Sequence, residues 1–280
     1  MRYLGGGCRP FLCAKGGGSL ISDMVPIIRV FPNRPDITVY PVFDLHLGAA
    51  ECMEAEWALF KRRVLDDPNA YVVIGGDMIN NGIKSSVTNV YAETMRPREQ
   101  KKRLVEELTP LRDRIICMTG GNHEQRTAKE ADQNPMYDVA CKLDLEDLYR
   151  ENGCFVVLRF GEKKGNGLLN PTYTMAVLHG AGGGMYIGSG ANRGERYGAV
   201  IDGLDVLITG HTHKPVTFPV GKLVFDPQNK RVTQKQFRVL VATSWLWYGD
   251  YAMRKLLPPA AHCVNWVQLH GMRKELHVTM

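Results

Sequence analysis

Five short segments carry residue types that hold divalent cations: Asp44-Leu45-His46, Gly76-Asp77, Asn122-His123-Glu124, His179-Gly180 and His211-Thr212-His213. Each follows a run of apolar, β-favouring residues, so each reads as a strand that runs out into a polar turn. Loops beyond the carboxyl ends of strands in an α/β sheet converge on one crevice, and five such turns can assemble one polar site. Five of the eight histidines (His46, His123, His179, His211, His213) fall in these turns. His262, His270 and His277 lie elsewhere, have no partners in sequence and read as structural. A donor set of two Asp, one Asn and four His suits Mn2+, Fe or Zn2+ better than an all-oxygen Mg2+ or Ca2+ cage or a thiolate site. Seven donors exceed the needs of one tetrahedral ion and fit two ions sharing a carboxylate, ~3.5–4 Å apart as in two-metal hydrolases. Each piece alone is weak. The Gly-His-x-His is the strongest, because imidazoles two residues apart on extended backbone point the same way, and all five pieces in one order carry the reading.

The elements that must position these turns follow from pattern. Strands are expected at 37–43, 71–74, 115–118, 154–160, 172–178 and 206–208, and helices at 51–65, 98–111 and 137–149. A glycine-rich loop spans 181–194, followed by a short helix; it is a flexible wall of the site or a surface loop. After residue 213 the chain turns mostly to strand, at 223–225, 237–242, 263–269 and 276–279. Residues 1–35, rich in Gly, Pro and Arg and without a period, read as an irregular lead-in, and 36–280 as one domain. Buried strands alternating with helices argue for an α/β layered domain.

Composition sets the outer bounds. With 280 residues, 44% hydrophobic and 23% charged, the chain has material for a sizeable core and is not disordered. No run approaches the ~18 apolar residues of a membrane span, and the first residues lack the apolar stretch of a secretory signal. Seven scattered cysteines without a CxxC pair fit a reducing compartment, so a cytoplasmic protein is expected. Net charge is +6, and after residue 160 there are 14 Lys and Arg against 7 Asp and Glu. Two basic patches, Arg96 to Arg103 and Lys214 to Arg238, would favour a phosphate-bearing partner; the bland alternative is solvated helix and hairpin faces.

The motifs Asp-x-His, Gly-Asp, Gly-Asn-His-Glu, a single His and Gly-His-x-His resemble those of the calcineurin-like metallophosphoesterase superfamily, over about residues 37–213. The resemblance implies a four-layer α/β/β/α sandwich of two mixed sheets with two divalent metal ions at the carboxyl edges of the central strands. It implies that Asp44, His46, Asp77 and His213 hold one ion and Asp77, Asn122, His179 and His211 the other, with Asp77 bridging. His123 would sit beside the leaving group as a catalytic residue, oriented by a carboxylate such as Asp44. A metal-bridging hydroxide would attack phosphorus in line with the departing oxygen. Manganese is the expected metal, with Fe or Zn as alternatives.

Substrate is less legible. Protein phosphatases of the superfamily carry an Arg directly before Gly-Asn-His-Glu and an Asp-Arg-Gly after the second-motif Asp. Here Gly120 stands at the first place, and Met-Ile-Asn-Asn follows Asp77. Arg126 is the candidate replacement as a phosphate contact, its alternative being a solvated loop residue. The aromatic run Trp245-Leu-Trp247-Tyr248-Gly-Asp-Tyr251 could stack bases or pack in the core. The expectation is a phosphodiesterase or nuclease acting on nucleotides or nucleic acid. A phosphomonoesterase is the alternative and a non-catalytic scaffold a remote one.

Overall fold

The computed structural model describes residues 24–31, 36–87, 89–161 and 170–280. Their strands are β1 (Ile27–Phe31), β2 (Asp36–Val42), β3 (Ala70–Ile74), β4 (Ile115–Thr119), β5 (Tyr149–Arg150), β6 (Cys154–Phe160), β7 (Thr172–Leu178), β8 (Val206–Thr209), β9 (Val216–Asp226), β10 (Arg231–Val241), β11 (Trp266–His270) and β12 (Leu276–Thr279). The α-helices are α1 (Glu54–Asp66), α2 (Pro97–Leu108), α3 (Gln125–Ala131), α4 (Pro135–Lys142), α5 (Ile187–Ala199) and α6 (Asp250–Arg254). They build two six-stranded mixed sheets, one in the order β1-β6-β7-β8-β10-β9 and the other β12-β11-β2-β3-β4-β5.

Period-two alternation explains the stacking. In β3 all five residues are buried: Tyr71 and Val73 point between the sheets, with Val39, Ile116, Met175, Ile208 and Leu240. Ala70, Val72 and Ile74 point the other way, onto Trp57, Phe60 and Val64 of α1 and Leu104 and Leu108 of α2. A strand covered on both faces must be apolar at every position. Helix α5 covers the outer face of the first sheet, so the layers run α/β/β/α, as the family resemblance implied.

Parallel pairing of β2, β3 and β4 in one sheet and of β7 and β8 in the other sends five carboxyl ends to one rim. The rim is stitched by main chain: Asp44 N–H donates to Gly76 O at 3.1 Å, His46 N–H to Asp77 O at 2.9 Å and Gly210 N–H to His179 O at 2.9 Å.

Several boundaries differ from the sequence reading. Within the expected lead-in, Ile27–Phe31 is a strand paired parallel to β6, its alternation carried by Ile27 and Phe31 alone; residues 1–23 and 32–35 lie outside the described residues. The helix expected over 137–149 ends at Lys142, and Asp144 turns the chain with a left-handed φ of 54°. Strand β9 runs through Pro219 and Gly221 to eleven residues, because it is an edge strand whose outer side needs no partner.

The glycine-rich loop is the largest departure. From Ile187 it is helix, although four of the thirteen residues of α5 are glycine. Gly190, Gly194 and Gly198, four apart, form the buried face. A Cβ on Gly194 would lie 2.5 Å from Val239 Cγ1, and one on Gly198 2.3 Å from Phe237 Cε2. The absent side chains let the helix sit down on β10, and this packing overrides poor propensity. Gly188 has open space around it. Gly194→Ala is therefore expected to destabilise by ~1–3 kcal/mol through overpacking, and Gly188→Ala to stabilise by up to ~1 kcal/mol. Urea unfolding of the two variants checks the opposite signs.

Candidate metal centre

The five turns meet on the rim as the sequence reading required. Asp44 and His46 follow β2, Asp77 follows β3, Asn122 and His123 follow β4, His179 follows β7, and His211 and His213 follow β8. Asp44, His46 and His213 bring ligand atoms within 4.8 Å of one another, and so do Asp77, His179 and His211.

Asp77 stands between the groups. Its Oδ1 accepts the His123 backbone N–H at 2.8 Å, which aims Oδ2 inward, 3.2 Å from His179 Nε2, 3.8 Å from His123 Nε2 and 3.9 Å from His46 Nε2. Asp44 repeats the device across the sheets: Oδ2 accepts the His211 N–H at 2.8 Å. Its Oδ1 is buried without a hydrogen bond, 3.3 Å from His213 Nε2 and 3.8 Å from His46 Nε2. Asn122 Oδ1 lies 3.0 Å from His179 Nε2, whose other ring nitrogen meets Gly75 O at 2.9 Å. A carbonyl only accepts, so Nδ1 carries the proton in neutral His179 and Nε2 offers a lone pair inward. Converging lone pairs and an orphaned carboxylate oxygen form a donor set that fits divalent cations.

The backbone here is held in a costly form. Asp44, His46, Asp77, His211 and His213 have φ of 52°, 48°, 51°, 67° and 57°, the left-handed region that non-glycine residues seldom enter. The electrostatics set a proton against a cation at this point: the carboxylates hold one on His179, and a divalent ion at Nε2 would displace it. Burial opposes ionisation of Asp77, but the charge of His179 and its hydrogen bond outweigh it and hold the carboxyl well below its ordinary range. Asp44 is likewise lowered against burial, by His213. Burial depresses His179 and the Asp77 charge more than reverses it, raising the imidazole to about 10. Burial leaves His46 well below its usual value.

His123 lies on the rim with Nε2 3.8 Å from Asp77 Oδ2, and Asp44 does not orient it. Its Nδ1 lies 2.7 Å from Asn80 O, and Arg126 Nη2 lies 2.9 Å from its Nε2. A carbonyl behind and a guanidinium in front fix the neutral tautomer, with the proton on Nδ1 and the Nε2 lone pair accepting from Arg126. Arg126 is thus no solvated loop residue. It is part-buried on α3, also donating to Asn80 O at 3.1 Å.

Two residues went unassigned in sequence. Buried Glu124 accepts backbone N–H bonds from Gly121 at 2.8 Å, Asp77 at 2.9 Å, Met78 at 2.8 Å and Ile79 at 3.2 Å, clamping the second and third turns together. Burial and the charge of Asp77 push its carboxyl up to about 7. Asn81 donates through Nδ2 to His123 O at 2.7 Å and to Thr127 Oγ1 at 3.1 Å. Glu124 was visible as the last letter of Gly-Asn-His-Glu, but nothing in spacing says that it binds main chain.

The outlying features divide. Trp245 is core, 1% exposed against Trp57 and Phe60, whereas Trp247, Tyr248 and Tyr251 are 57%, 45% and 45% exposed. In the first basic patch Lys101 pairs with Asp138, Lys102 with Glu106 and Arg103 with Glu107, as on a solvated helix face. In the second, Lys222 pairs with Asp202 and Arg231 with Asp226. No helix among the described residues is long and apolar enough to cross a membrane.

A family model described as calcineurin-like phosphoesterase matches residues 44–215. That stretch opens at Asp44 and takes in every donor of the rim, and the chain belongs to this family. No curated protein matches the chain.

Removing Glu124 would leave four buried N–H groups without a partner, each worth ~1–3 kcal/mol. Glu124→Ala is expected to lower stability by about 3 kcal/mol or more, and Glu124→Gln by less. Denaturant midpoints measure both.

Proposed function

We propose that the chain is a two-metal phosphodiesterase acting on nucleotides or nucleic acid. The observation that carries the metal-centre reading is Asp77, whose inward oxygen faces His46 on one side and His179 on the other. Asp44, His46, Asp77 and His213 would hold one cation, and Asp77, Asn122, His179 and His211 the other. Manganese is the metal proposed, with Fe or Zn suited to the same donors. Divalent cations bound there supply Lewis-acid stabilisation of phosphoryl charge and acidify water near neutral pH.

The chain's own residues do the rest. Asp77 and Asp44 each spend one oxygen on a backbone N–H, and so present the other in a fixed direction. The Arg126 guanidinium lies 2.9 Å from His123 Nε2, beside the inward face. A substrate phosphate draws Arg126 toward its oxygens and frees Nε2 of His123. His123, still held on Asn80 O through Nδ1–H, takes a proton from solvent at the freed Nε2 and gives that proton to the departing oxygen, returning to the neutral ring. Such general acid help is worth ~10²–10⁴-fold in rate.

The diester reading is supported by Gly120 in place of an arginine and by the exposed Trp247, Tyr248 and Tyr251, which offer faces for bases. The cysteines of the described residues are free thiols, which suits the proposed cytoplasmic setting.

The deciding assay compares bis-p-nitrophenyl phosphate with p-nitrophenyl phosphate after chelation and Mn2+ add-back. Mn2+-dependent diester preference is expected, and monoester preference would replace the proposal with a phosphomonoesterase. Metal bound without turnover of either ester or of nucleic acid would indicate a scaffold. Asp77→Asn is expected to lose most bound metal and all turnover, and His123→Asn to keep its metal while losing ~10²–10⁴-fold in kcat. Metal analysis beside steady-state kinetics separates the two roles, and equal metal loss would contradict them.

A further inference from the structure

Asp36 opens β2 and Asp44 follows its far end, so a second group of liganding side chains at Asp36 is a strand length away from the centre above. Strand β11 ends at His270, and the hairpin returns through Glu275 to His277 in β12. The register places His270 beside Asp36 of β2, and His270 N–H donates to Glu275 O at 3.0 Å. With side chains alternating along each strand, Asp36, His270, Glu275 and His277 share one face of the sheet. One ligand atom from each of His270, Glu275 and His277 lies within 4.8 Å of the other two.

Two further observations set the group apart from a chance meeting of polar residues. His270 Nδ1 lies 3.0 Å from Asp36 Oδ1. An ionised carboxylate only accepts, so in the neutral ring Nδ1 carries the proton and Nε2 keeps its lone pair. A carboxylate in this position behind a histidine fixes the tautomer and raises the basicity of a metal-binding nitrogen. The backbone beneath is also braced from the opposite sheet. The Tyr173 hydroxyl sits 2.7, 2.9 and 2.8 Å from the carbonyl oxygens of His270, Arg273 and Glu275, and accepts the Glu275 N–H at 2.9 Å. Lys274 reaches from the same turn to Asp205 at 2.9 Å. Arg273 occupies Oε2 of Glu275, while Oε1 faces His277 Nε2 at 3.0 Å.

We propose that His270, Glu275 and His277 form a separate Zn2+ site, with Asp36 as the carboxylate that orients His270. Two imidazoles and one carboxylate, with water in the fourth position, make a donor set suited to zinc rather than to Mg2+ or Ca2+. Side chains 21% exposed at His270 and 54% exposed at His277 leave the ion an approach from solvent. The ligands come from both strands of the β11–β12 hairpin, so bound zinc ties the edge strand β12 to its neighbour.

The test measures zinc per chain, by elemental analysis after equilibration at one buffered free Zn2+ concentration. It compares the full-length wild type, His277→Gln, and the double variant His270→Ala with His277→Ala. Both variants are expected to carry one zinc fewer than wild type. Zn2+ is also expected to raise the thermal midpoint of wild type further than that of the double variant. Equal zinc contents would overturn the site, reducing the group to exposed ion pairs. Should the double variant fail to fold, His277→Gln, a change at a half-exposed side chain, decides alone. The one-zinc difference holds whether the main centre fills or not, so the result stands independently of the phosphoesterase reading.

Discussion

Two buried carboxylates govern this molecule. Asp44 and Asp77 carry charge where water does not reach, and an uncompensated buried charge costs several kcal/mol. Compensation comes from both sheets at once: backbone N–H groups of His123 and His211, and imidazoles from β2, β7 and β8. Parallel pairing brings the strand ends to one rim, and the carboxylates give the two rims a reason to meet. Strained φ values at five of these positions mark what this convergence costs, and the interlocked turns are what hold them there.

Much of this was legible in the chain because the site lies at strand exits, where local pattern and chemistry coincide. The runs before Asp44, Asp77 and Asn122 are apolar because their strands are covered on both faces. A fully buried strand and its terminal liganding residue are both visible in one sequence window. Arg126 and Asn80 were harder. Their roles depend on which atoms of His123 they meet, and main-chain carbonyls such as that of Asn80 leave no mark in residue type. Asp44 was the wrong partner for His123 for the same reason, since a carbonyl does the work expected of a carboxylate.

The aromatic run shows the limit from another side. Trp245 and Trp247 stand two apart in an extended stretch, yet one is core and the other open to solvent. The main-chain N–H of Trp245 donates to Asp44 O and ties the inner residue to the rim. Composition could name the cluster but not divide it. The basic patches were likewise visible as charge, while the acids that answer them lie across helix turns and between elements.

Helix α5 leads from the turn of His179 toward that of His211, and its four glycines carry a consequence for motion. Each glycine forfeits roughly 1 kcal/mol of helical preference relative to alanine, so little in the segment favours helix once it leaves the sheet. Its order is borrowed from the surface it rests on. Such a segment belongs to the low end of the range of local opening energies, and its amides should exchange with solvent ahead of those in β3 and β4. The part of the rim beside α5 is thus the part that can unfasten, while the turns held by Asp44, Asp77 and Glu124 stay closed.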